Sequence, residues 1–306
     1  MAALHDMQPA SLPQLQVFLA VARHRSFSGA ARELGVSTSA VSQAVKQLED
    51  QLRVLLLART TRSVSPTDAG KRLVESAGPA VKQALDALTE VSAKPGEVVG
   101  RVKLSVGHLA VPFVITPVLP TFRARHPRIA VEIVVEERLV DIVGEGYDAG
   151  IRLTEAIDRD MVQVRLTNEL RFVIVGTPEY LARNGTPRKP EDLLRHECIM
   201  FRALTTGALY AWELERGRRN WRVPVRGSVI TNEPQLCIKM AEQGLGLAYT
   251  FEPSVAEQLR AGRLKTVLEA YAPTVPGFFL CYPSRAQSSP ALRLFVEVAR
   301  ELTRGA

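Results

Sequence analysis

Apolar residues recur at three- and four-residue spacing in three short segments near the front of the chain, and turn-forming residues separate these segments. The first segment, residues 12–24, is predicted to be a helix whose apolar face consists of Leu15, Phe18, Leu19 and Ala22. Ser26 and Ser28 mark a break before a short alanine-rich helix. Gly35 is predicted to end that second helix, because glycine adopts the left-handed C-terminal conformation most readily. Ser37 is then placed to cap a third helix.

The third segment, residues 37–52, combines an apolar stripe with a polar face. Its apolar stripe consists of Val41, Val45, Leu48 and Leu52. Its polar face consists of Thr38, Ser39, Ser42, Gln43 and Lys46. Hydroxyl and amide groups are the types that read base edges in a major groove, and a lysine can hold a phosphate. A solvated amphipathic helix would show the same pattern, so the neighbouring segments must decide between the two interpretations.

Two short helices joined by a glycine-containing turn, the second with a polar face, form the helix-turn-helix plan. The run FLAVARHRSFSGAARELGVSTSAVSQAVKQLEDQL, followed by LLLARTTRSVSPTDAGKRL, closely resembles the N-terminal DNA-binding domain of the LysR-type transcriptional regulators. This resemblance implies a winged helix-turn-helix in which Thr60 to Pro66 form the wing. It places Arg59 and Arg62 beside the phosphates or in a minor groove. The residues expected to contact DNA are Ser28, Ser37, Thr38, Ser39, Ser42, Gln43, Lys46, Arg59 and Arg62.

Three positions in this module differ from the family pattern. Arg53 stands where the family usually has glycine, Leu57 where it usually has phenylalanine, and Gln43 where a basic residue is common. The turn geometry and the base preference are therefore not carried over from the resemblance. Residues 51–67 contain three arginines and no acidic residue, and this local charge independently suits a polyanion.

A second long helical pattern runs from Thr67 to Val91, with Thr67 or Asp68 as its cap. Its small and leucine side chains recur at close to coiled-coil spacing, which fits either a self-pairing surface or packing on its own domain. The family resemblance implies a linker helix through which two subunits pair antiparallel. Gly78 and Pro79 are predicted to kink this helix or to break it in two.

From Gly100 onward, strand and helix patterns alternate, as in an open parallel α/β sheet. Within the first half, residues 138–146 are predicted to form a short helix. The segments VDIVGEGYDAGIRL, GTPEYLARNGTPRKPEDLLRHECI, NEPQLCIKMAEQGLGLAY, LRAGRLKTVL and CYPSRAQSSPALRLFVEV resemble the effector-binding domain of the same family. That domain is similar to periplasmic solute-binding proteins, with two α/β lobes and a cleft between them.

The predicted fold class is therefore a multidomain α+β protein with three parts. These are a winged helix-turn-helix DNA-binding domain in residues 1–66, a linker and dimerisation helix in residues 67–93, and a two-lobed α/β effector-binding domain in residues 94–306. The resemblance implies that lobe I comprises residues 101–168 and 275–306, and lobe II residues 169–274.

Ligands of open α/β sheets bind beyond the carboxyl ends of the strands. The strand ends predict an effector site made of Gly107, His108, Glu136, Arg152, Thr154, Phe201, Arg202, Asn232 and Phe251. Arginine and histidine among these residues suit an anionic ligand such as a carboxylate or phenolate, and the phenylalanines suit an aromatic one. Alternatively, the arginines are solvated or paired with Glu136, Glu137 or Glu155, and His108 is a satisfied, partly buried histidine.

Composition and charge set outer limits on these interpretations. The net charge of +7 favours an acidic partner, but residues 1–66 hold seven Lys/Arg against four Asp/Glu, so most of the excess lies elsewhere. The chain shows neither a secretory signal nor an uninterrupted apolar run long enough for a membrane span, which predicts a cytoplasmic protein without a membrane partner. Three scattered cysteines, Cys198, Cys237 and Cys281, fit reduced buried thiols, with a redox-sensing pair as the alternative.

Two other functional classes fit the sequence less well. An α/β enzyme is disfavoured because the GxSxG, GxxxxGK[ST], GxGxxG and HExxH motifs are missing and the His and Cys residues lack metal-ligand spacing. A solute-binding protein of the transport type is disfavoured by the attached DNA-binding module. We therefore predict a sequence-specific, ligand-responsive transcription regulator with no cofactor and no metal. By the resemblance, it would bind double-stranded DNA at an interrupted palindrome as a homodimer or homotetramer, under control of a small anionic or aromatic effector.

Overall fold

The computed structural model of the protein describes residues 11–59, 64–91, 97–138, 140–153, 161–204, 206–283 and 289–303. The α-helices in these ranges are α1 (Leu12–His24), α2 (Phe27–Leu34), α3 (Thr38–Leu52), α4 (Asp68–Val91), α5 (Thr116–Arg125), α6 (Pro178–Asn184), α7 (Pro234–Glu242), α8 (Ala256–Arg260) and α9 (Pro290–Thr303). The strands are β1 (Leu57–Arg59), β2 (Val64–Pro66), β3 (Gly100–Val106), β4 (Ile129–Val135), β5 (Ala149–Leu153), β6 (Met161–Arg165), β7 (Leu170–Gly176), β8 (Met200–Phe201), β9 (Trp212–Arg216), β10 (Arg219–Val223), β11 (Ile230–Thr231), β12 (Ala248–Phe251), β13 (Lys265–Val267), β14 (Thr274–Val275) and β15 (Phe278–Pro283). None of these helices is long and apolar enough to cross a membrane.

The predicted breaks between the first three helices are confirmed. The Ser26 hydroxyl accepts from the Gly29 N–H and caps α2, and the Ser37 hydroxyl accepts from the Ala40 N–H and caps α3. Gly35 ends α2 with φ of 66°, in the left-handed region. These local side-chain and backbone preferences fix where α3 begins.

The head, which comprises α1–α3, β1, β2 and the start of α4, has its own core. Phe18, Val41 and Val45 are fully buried there, and Leu48 is nearly so. The predicted apolar stripe of α3 is thus confirmed over its first three members. It is wrong at Leu52, which is 40% exposed, because Leu52 is the last helical residue and the chain turns away from the core at Arg53.

Arg53 adopts the left-handed conformation that a glycine would adopt most easily. Its φ is 52° and its N–H donates to the carbonyls of Glu49 and Asp50, closing α3. A side chain in this region carries a steric cost of roughly 1 kcal/mol that glycine does not. The left-handed turn is therefore kept without the usual glycine.

We expect Arg53→Gly to raise the free energy of unfolding by up to about 1 kcal/mol, because it relieves this strain. Arg53→Ala keeps the Cβ atom and is the matched control, which should give no such gain. Urea unfolding of both variants checks the prediction. Equal stability of the two variants would show that the backbone at this turn is unstrained.

Helix α4 is continuous from Asp68 to Val91, so the predicted break at Gly78 and Pro79 does not occur. Thr67 caps it, since its hydroxyl accepts from the Gly70 N–H at 3.1 Å. Pro79 removes a single helical donor, and the buried side chains of Val74 and Val81 hold the helix in place on either side of it. Twenty-four residues give the helix a length of about 36 Å.

The larger sheet has the order β4-β3-β5-β15-β6. Strands β4 and β5 run parallel to β3, but β15 runs antiparallel to both β5 and β6. The predicted parallel arrangement is therefore confirmed for β3, β4 and β5, whereas β15 runs against its two neighbours. Helices α5 and α9 pack together through the Phe122 and Phe295 rings, whose centroids are 5.3 Å apart, in the core that the sheet shares.

The second sheet is built around β7, which pairs antiparallel with β12, β13 and β14. Beside it, β8 and β11 form a short parallel pair, and β9 and β10 form a hairpin that the sequence interpretation missed. Gly217, with φ of 62°, begins the two-residue turn of this hairpin, where glycine is favoured.

Residues 142–146 form turns instead of the predicted helix, and Leu139 lies outside the described residues. The Asp141 carboxylate accepts from the Gly144 N–H, and Gly146 has φ of 69°. A helix would need Gly144 and Gly146 in the right-handed conformation. The entropy lost by fixing two glycines is larger than the stabilisation that so short a helix gains.

Candidate nucleic-acid interface and effector cavity

The surface of α3 opposite its buried stripe is polar and open to solvent. Thr38, Ser39, Gln43 and Lys46 are exposed and Ser42 is half-buried. The Ser37 and Ser39 hydroxyl oxygens lie 2.9 Å apart, which orders the first turn of the helix. Ser28, on α2, is exposed as well. This surface offers hydroxyl, amide and ammonium groups on one rigid helix, which suits contact with base edges and phosphates.

Glu49 lies on the buried side of α3 and joins this helix to the wing strands. It is 7% exposed, and its Oε1 atom accepts from the backbone N–H groups of Leu56 at 2.8 Å and Leu57 at 3.0 Å. Its Oε2 atom lies 3.4 Å from the Arg59 guanidinium. A buried carboxylate is stable only with such partners. Sequence reasoning missed Glu49, because a charged residue in a helix is usually solvated.

The wing strands β1 and β2 form an antiparallel pair. Arg59 ends β1 and its guanidinium lies over the Phe27 ring, 4.7 Å from the centroid. Arg59 is thus exposed and held in position by two partners, Glu49 and Phe27. The rest of the predicted wing, Thr60 to Ser63, and with it Arg62, lies outside the described residues.

Arg152, predicted at the effector site, is buried with 8% of its surface exposed. Its guanidinium donates to the carbonyls of Ser105, Ile151 and Arg138 and to the Ser105 hydroxyl. Burial lowers the pKa of Arg152, and the neighbouring carboxylate of Glu137 opposes that shift. With four acceptors in the fold, this cation ties β3 to β5.

Carboxylates surround this arginine. The Glu136 Oε1 atom accepts from the Ser105 hydroxyl at 3.1 Å and from the Tyr147 hydroxyl at 2.7 Å. Burial raises the pKa of the Tyr147 phenol, and the bond to Glu136 raises it further. Glu137 accepts from the His108 N–H at 2.6 Å and lies 3.2 Å from its Nδ1 atom. These contacts match the alternative interpretation of the sequence, in which Arg152 and His108 have their partners within the protein.

A cavity of about 540 Å³ lies beside the second sheet and the hairpin. Its walls are Leu109, Leu153, Phe172, Ile199, Phe201, Tyr210, Trp212, Glu213, Leu214, Glu215, Asn220, Trp221, Arg222, Pro234, Cys237, Tyr249, Thr250, Pro273, Thr274 and Val275. Phe201 is the predicted effector residue among them, and Leu109 and Leu153 directly follow predicted residues. This size suits a small organic molecule.

The other predicted effector residues are not among the residues that line the cavity. Gly107 is buried beneath Glu137, and Asn232 is exposed. Phe251 is fully buried among aromatic rings, and Arg202 donates to the Gly207 carbonyl at 2.7 Å. Thr154 lies outside the described residues. Their contact with an effector stays a prediction.

The cysteines behave as buried thiols. Burial raises the pKa of Cys198 to about 12 and that of Cys237 to about 11, so both are protonated at neutral pH and poorly reactive. Cys281 is buried as well. In the described ranges, no group of three or more His, Cys, Asp or Glu is placed to hold a metal ion.

Family models match nearly the whole chain. The bacterial regulatory helix-turn-helix protein model of the lysR family matches residues 12–71, and the LysR substrate binding domain model matches residues 95–304. A putative transcriptional regulator of Pseudomonas aeruginosa is 40% identical over 290 residues, covering 95% of each chain. The Escherichia coli regulator PgrR is 34% identical over 291 residues, covering 95% of this chain and 97% of its own.

Solved structures share the fold. ArgP from Mycobacterium tuberculosis superposes with a TM-score of 0.68 at 21% identity and covers 96% of this chain and 97% of its own. CrgA from Neisseria meningitidis, a LysR-type transcriptional regulator, has a TM-score of 0.59 at 28% identity and covers 95% of this chain and 98% of its own. The relatives are named as regulators and not as enzymes. The chain therefore belongs to the LysR family of transcriptional regulators, with a helix-turn-helix DNA-binding domain followed by an effector-binding domain.

Proposed function

We propose that this LysR-type regulator, which binds DNA, a small-molecule effector and further copies of itself, reads its operator through the polar face of α3. The observation that carries the proposal is the division of α3 into a buried stripe and an open face of hydroxyl, amide and ammonium groups. Ser42 and Gln43 are assigned to base edges together with Thr38 and Ser39. Ser28, Ser37, Lys46, Arg59 and Arg62 are assigned to positioning on the phosphates. The base sequence that α3 prefers has to be measured, because Gln43 departs from the family pattern.

The proposed assembly is a homodimer or a homotetramer of two dimers on an interrupted palindrome. Two heads joined by paired α4 helices would contact half-sites about 34–36 Å apart, or a multiple of that spacing. The unbroken 24-residue α4 supports this role, since it can hold two heads at a fixed separation. We also propose that the DNA-binding domain ends at residue 66 and the linker helix at residue 93, and that the two lobes meet at residues 168 and 275. The proposed location is the cytoplasm, where the chromosome is accessible.

Contacts of α1 and α4 with the segment that leads into β5 support coupling of DNA binding to the effector. The Lys82 ammonium on α4 lies 2.5 Å from the Asp148 carboxylate, which also accepts from the Lys103 N–H at 2.7 Å. A Cβ atom at Gly146 would lie 2.8 Å from Arg23 on α1, so that turn touches the head closely. A small anionic or aromatic effector that moves the lobes would move the head through these contacts.

Purified full-length protein should recover its operator from fragmented genomic DNA. On that operator, Ser42→Ala and Gln43→Ala are each expected to weaken binding by about 1–3 kcal/mol while random DNA is bound nearly as before, because base contacts carry specificity. Fluorescence anisotropy on operator and random duplexes measures both affinities.

Two lysines provide the controls for this prediction. Lys46→Ala should weaken both duplexes alike and reduce the salt dependence, because a phosphate contact is independent of sequence. Lys71→Ala, on the exposed side of α4, should leave both unchanged. If the Ser42 and Gln43 variants lost equal affinity for operator and random DNA, these residues would contact the phosphates and not the bases. If the protein recovered no preferred sequence from genomic DNA, the proposal that α3 reads an operator would be wrong.

A further inference from the structure

Outside the head, the positive charge of the chain is concentrated in the β9–β10 hairpin and the residues directly after it. Residues 212–226 hold five arginines against two glutamates, a net charge of +3 that equals the excess in residues 1–66. These two segments therefore account for six of the seven excess charges of the chain. A second basic segment of this density indicates an anionic partner for the effector-binding domain.

Three arginines cluster at the tip of the hairpin, around the turn at Gly217. Arg216 and Arg219 stand directly opposite each other in the strand register, and Arg218 lies in the turn between them. All three side chains are exposed. Like charges that stand opposite each other destabilise a pair of strands, so folding alone does not favour this arrangement.

Two aromatic rings hold two of these guanidinium groups in place. Arg216 lies over the Tyr271 ring, 5.3 Å from its centroid, and Arg219 lies over the Trp221 ring at 4.8 Å. The two rings pack edge to face with centroids 5.2 Å apart. Arg216 donates one hydrogen bond, to the Tyr271 hydroxyl at 3.3 Å. A guanidinium that rests its face on a ring keeps the other N–H groups at its edge available for an anion.

The carboxylates of the hairpin do not neutralise this cluster. Glu213 accepts from the Tyr210 hydroxyl at 3.1 Å, Glu215 accepts from the Thr274 N–H at 3.3 Å, and both glutamates line the cavity. Across the described ranges, none of the three tip arginines forms an ion pair with a carboxylate. The cluster is therefore ordered, exposed and uncompensated in charge.

DNA is the polyanion that fits this cluster best. The heads of this regulator hold DNA, so the phosphate backbone is brought close to the rest of the same chain at a high effective concentration. The planar fork of arginine suits phosphate oxygens, and a duplex presents one negative charge per about 1.7 Å of its axis. An acidic protein surface would meet the same arginines and is the alternative outcome of the tests below.

We propose that the tip of the β9–β10 hairpin, through Arg216, Arg218 and Arg219, forms a second contact with the DNA that the heads bind. The contact is with phosphates and is independent of sequence, whereas α3 supplies the specificity. This inference rests on the proposed function, because α3 must first hold the DNA. Since the hairpin belongs to the effector-binding domain, the contact would tie the position of that domain to the DNA.

The double variant Arg218→Gln with Arg219→Gln is expected to make operator binding less sensitive to salt. Each lost phosphate contact lowers the slope of log affinity against log salt by about 0.9, so the slope should fall by about two for each hairpin on the DNA. Random DNA should show the same fall. Fluorescence anisotropy of the full-length protein, on duplexes that extend beyond both half-sites, measures the slope across a series of salt concentrations.

Two further variants make this result decisive. Arg125→Gln with Arg263→Gln removes the same charge from exposed arginines that already pair with Glu301 and Glu257, and it should leave the slope unchanged. Arg218→Gln alone alters a turn residue that packs on no ring, and it should lower the slope by about one for each hairpin. An unchanged slope in both hairpin variants overturns the DNA contact in favour of an acidic protein partner. An equal fall in the control overturns it in favour of a general effect of net charge.

Tryptophan quenching locates the contact. Trp221 is partly exposed beneath Arg219, whereas Trp212, the other tryptophan of the chain, is 1% exposed, so acrylamide mainly reaches Trp221. Saturating DNA should protect Trp221 from acrylamide in the parent protein, and this protection should be lost in the double hairpin variant. Protection that persists without the two arginines, or no protection in the parent protein, overturns the hairpin as the place of contact.

The proposed function and this inference fail in different ways. Ser42→Ala and Gln43→Ala should reduce the preference for operator over random DNA and keep the salt slope, whereas the hairpin variants should keep the preference and reduce the slope. If the protein selects no operator but the hairpin variants lower the slope on random DNA, the operator reading fails and the hairpin contact stands. If an operator is selected and the hairpin variants keep the parent slope, the hairpin contact alone fails.

Discussion

Glu49→Ala is expected to lower the free energy of unfolding by about 2–4 kcal/mol and to weaken operator binding at least about tenfold. The substitution leaves the N–H groups of Leu56 and Leu57 buried without an acceptor, and each unpaired buried donor costs about 1–3 kcal/mol. It also releases Arg59 from one of its two partners, so the wing loses its fixed position relative to α3. Urea unfolding followed by circular dichroism and anisotropy on the operator measure the two effects.

Two variants separate the causes of this loss. Glu49→Gln keeps an oxygen that can accept from both N–H groups while it removes the charge, so it should keep most of the stability and lose part of the wing effect. Asp50→Ala changes the next residue, which is exposed, and should stay within about 0.5 kcal/mol of the parent. If Glu49→Ala were as stable as Asp50→Ala, another group would have to accept hydrogen bonds from the Leu56 and Leu57 N–H groups.

The head could be predicted closely from the sequence because its determinants are local. Ser26, Gly35 and Ser37 act within three or four residues of themselves, and the spacing of Val41, Val45 and Leu48 needs only the helical period. Glu49 could not be predicted in the same way. Its partners are backbone groups seven and eight residues away, across a turn that Arg53 closes in an uncommon conformation.

The effector-binding domain was predictable in most of its elements and in the parallel direction of β3, β4 and β5, but not in the direction of β15. The patterns of β3, β4, β5, β7 and β15 could be located, yet whether β15 returns parallel or antiparallel is decided by pairing with residues more than a hundred positions away. The cavity depends on the β9–β10 hairpin in the same way. The alternation around Trp212 and Leu214 and the turn at Gly217 were signals that could have revealed it.

Arg152 shows why the position of a residue at a strand end does not settle its role. The rule that ligands bind beyond strand ends selected Phe201, which lines the cavity, and also His108 and Arg152, whose next residues in the chain line it. It could not tell whether the arginine in the same region points to that space or back into the fold. The acceptors of Arg152 come from Ser105, Arg138 and Ile151, of which two are far away in sequence.

Arg152→Met is accordingly expected to destabilise the protein by about 3–5 kcal/mol. Methionine fills a similar volume but leaves the Ser105 hydroxyl and two distant carbonyls without their donor, and it removes the positive charge beside the Glu137 carboxylate. Because these groups join β3 to β5, the larger sheet should lose order as a unit. Urea unfolding followed by circular dichroism measures the loss.

Arg202→Met is the matched control, since both arginines stand at predicted strand ends but Arg202 is exposed and binds one loop carbonyl. Its effect on stability should stay within about 0.5 kcal/mol. A fully stable Arg152→Met that no longer responds to effector would contradict the structural role and make Arg152 a ligand contact, as the sequence first suggested.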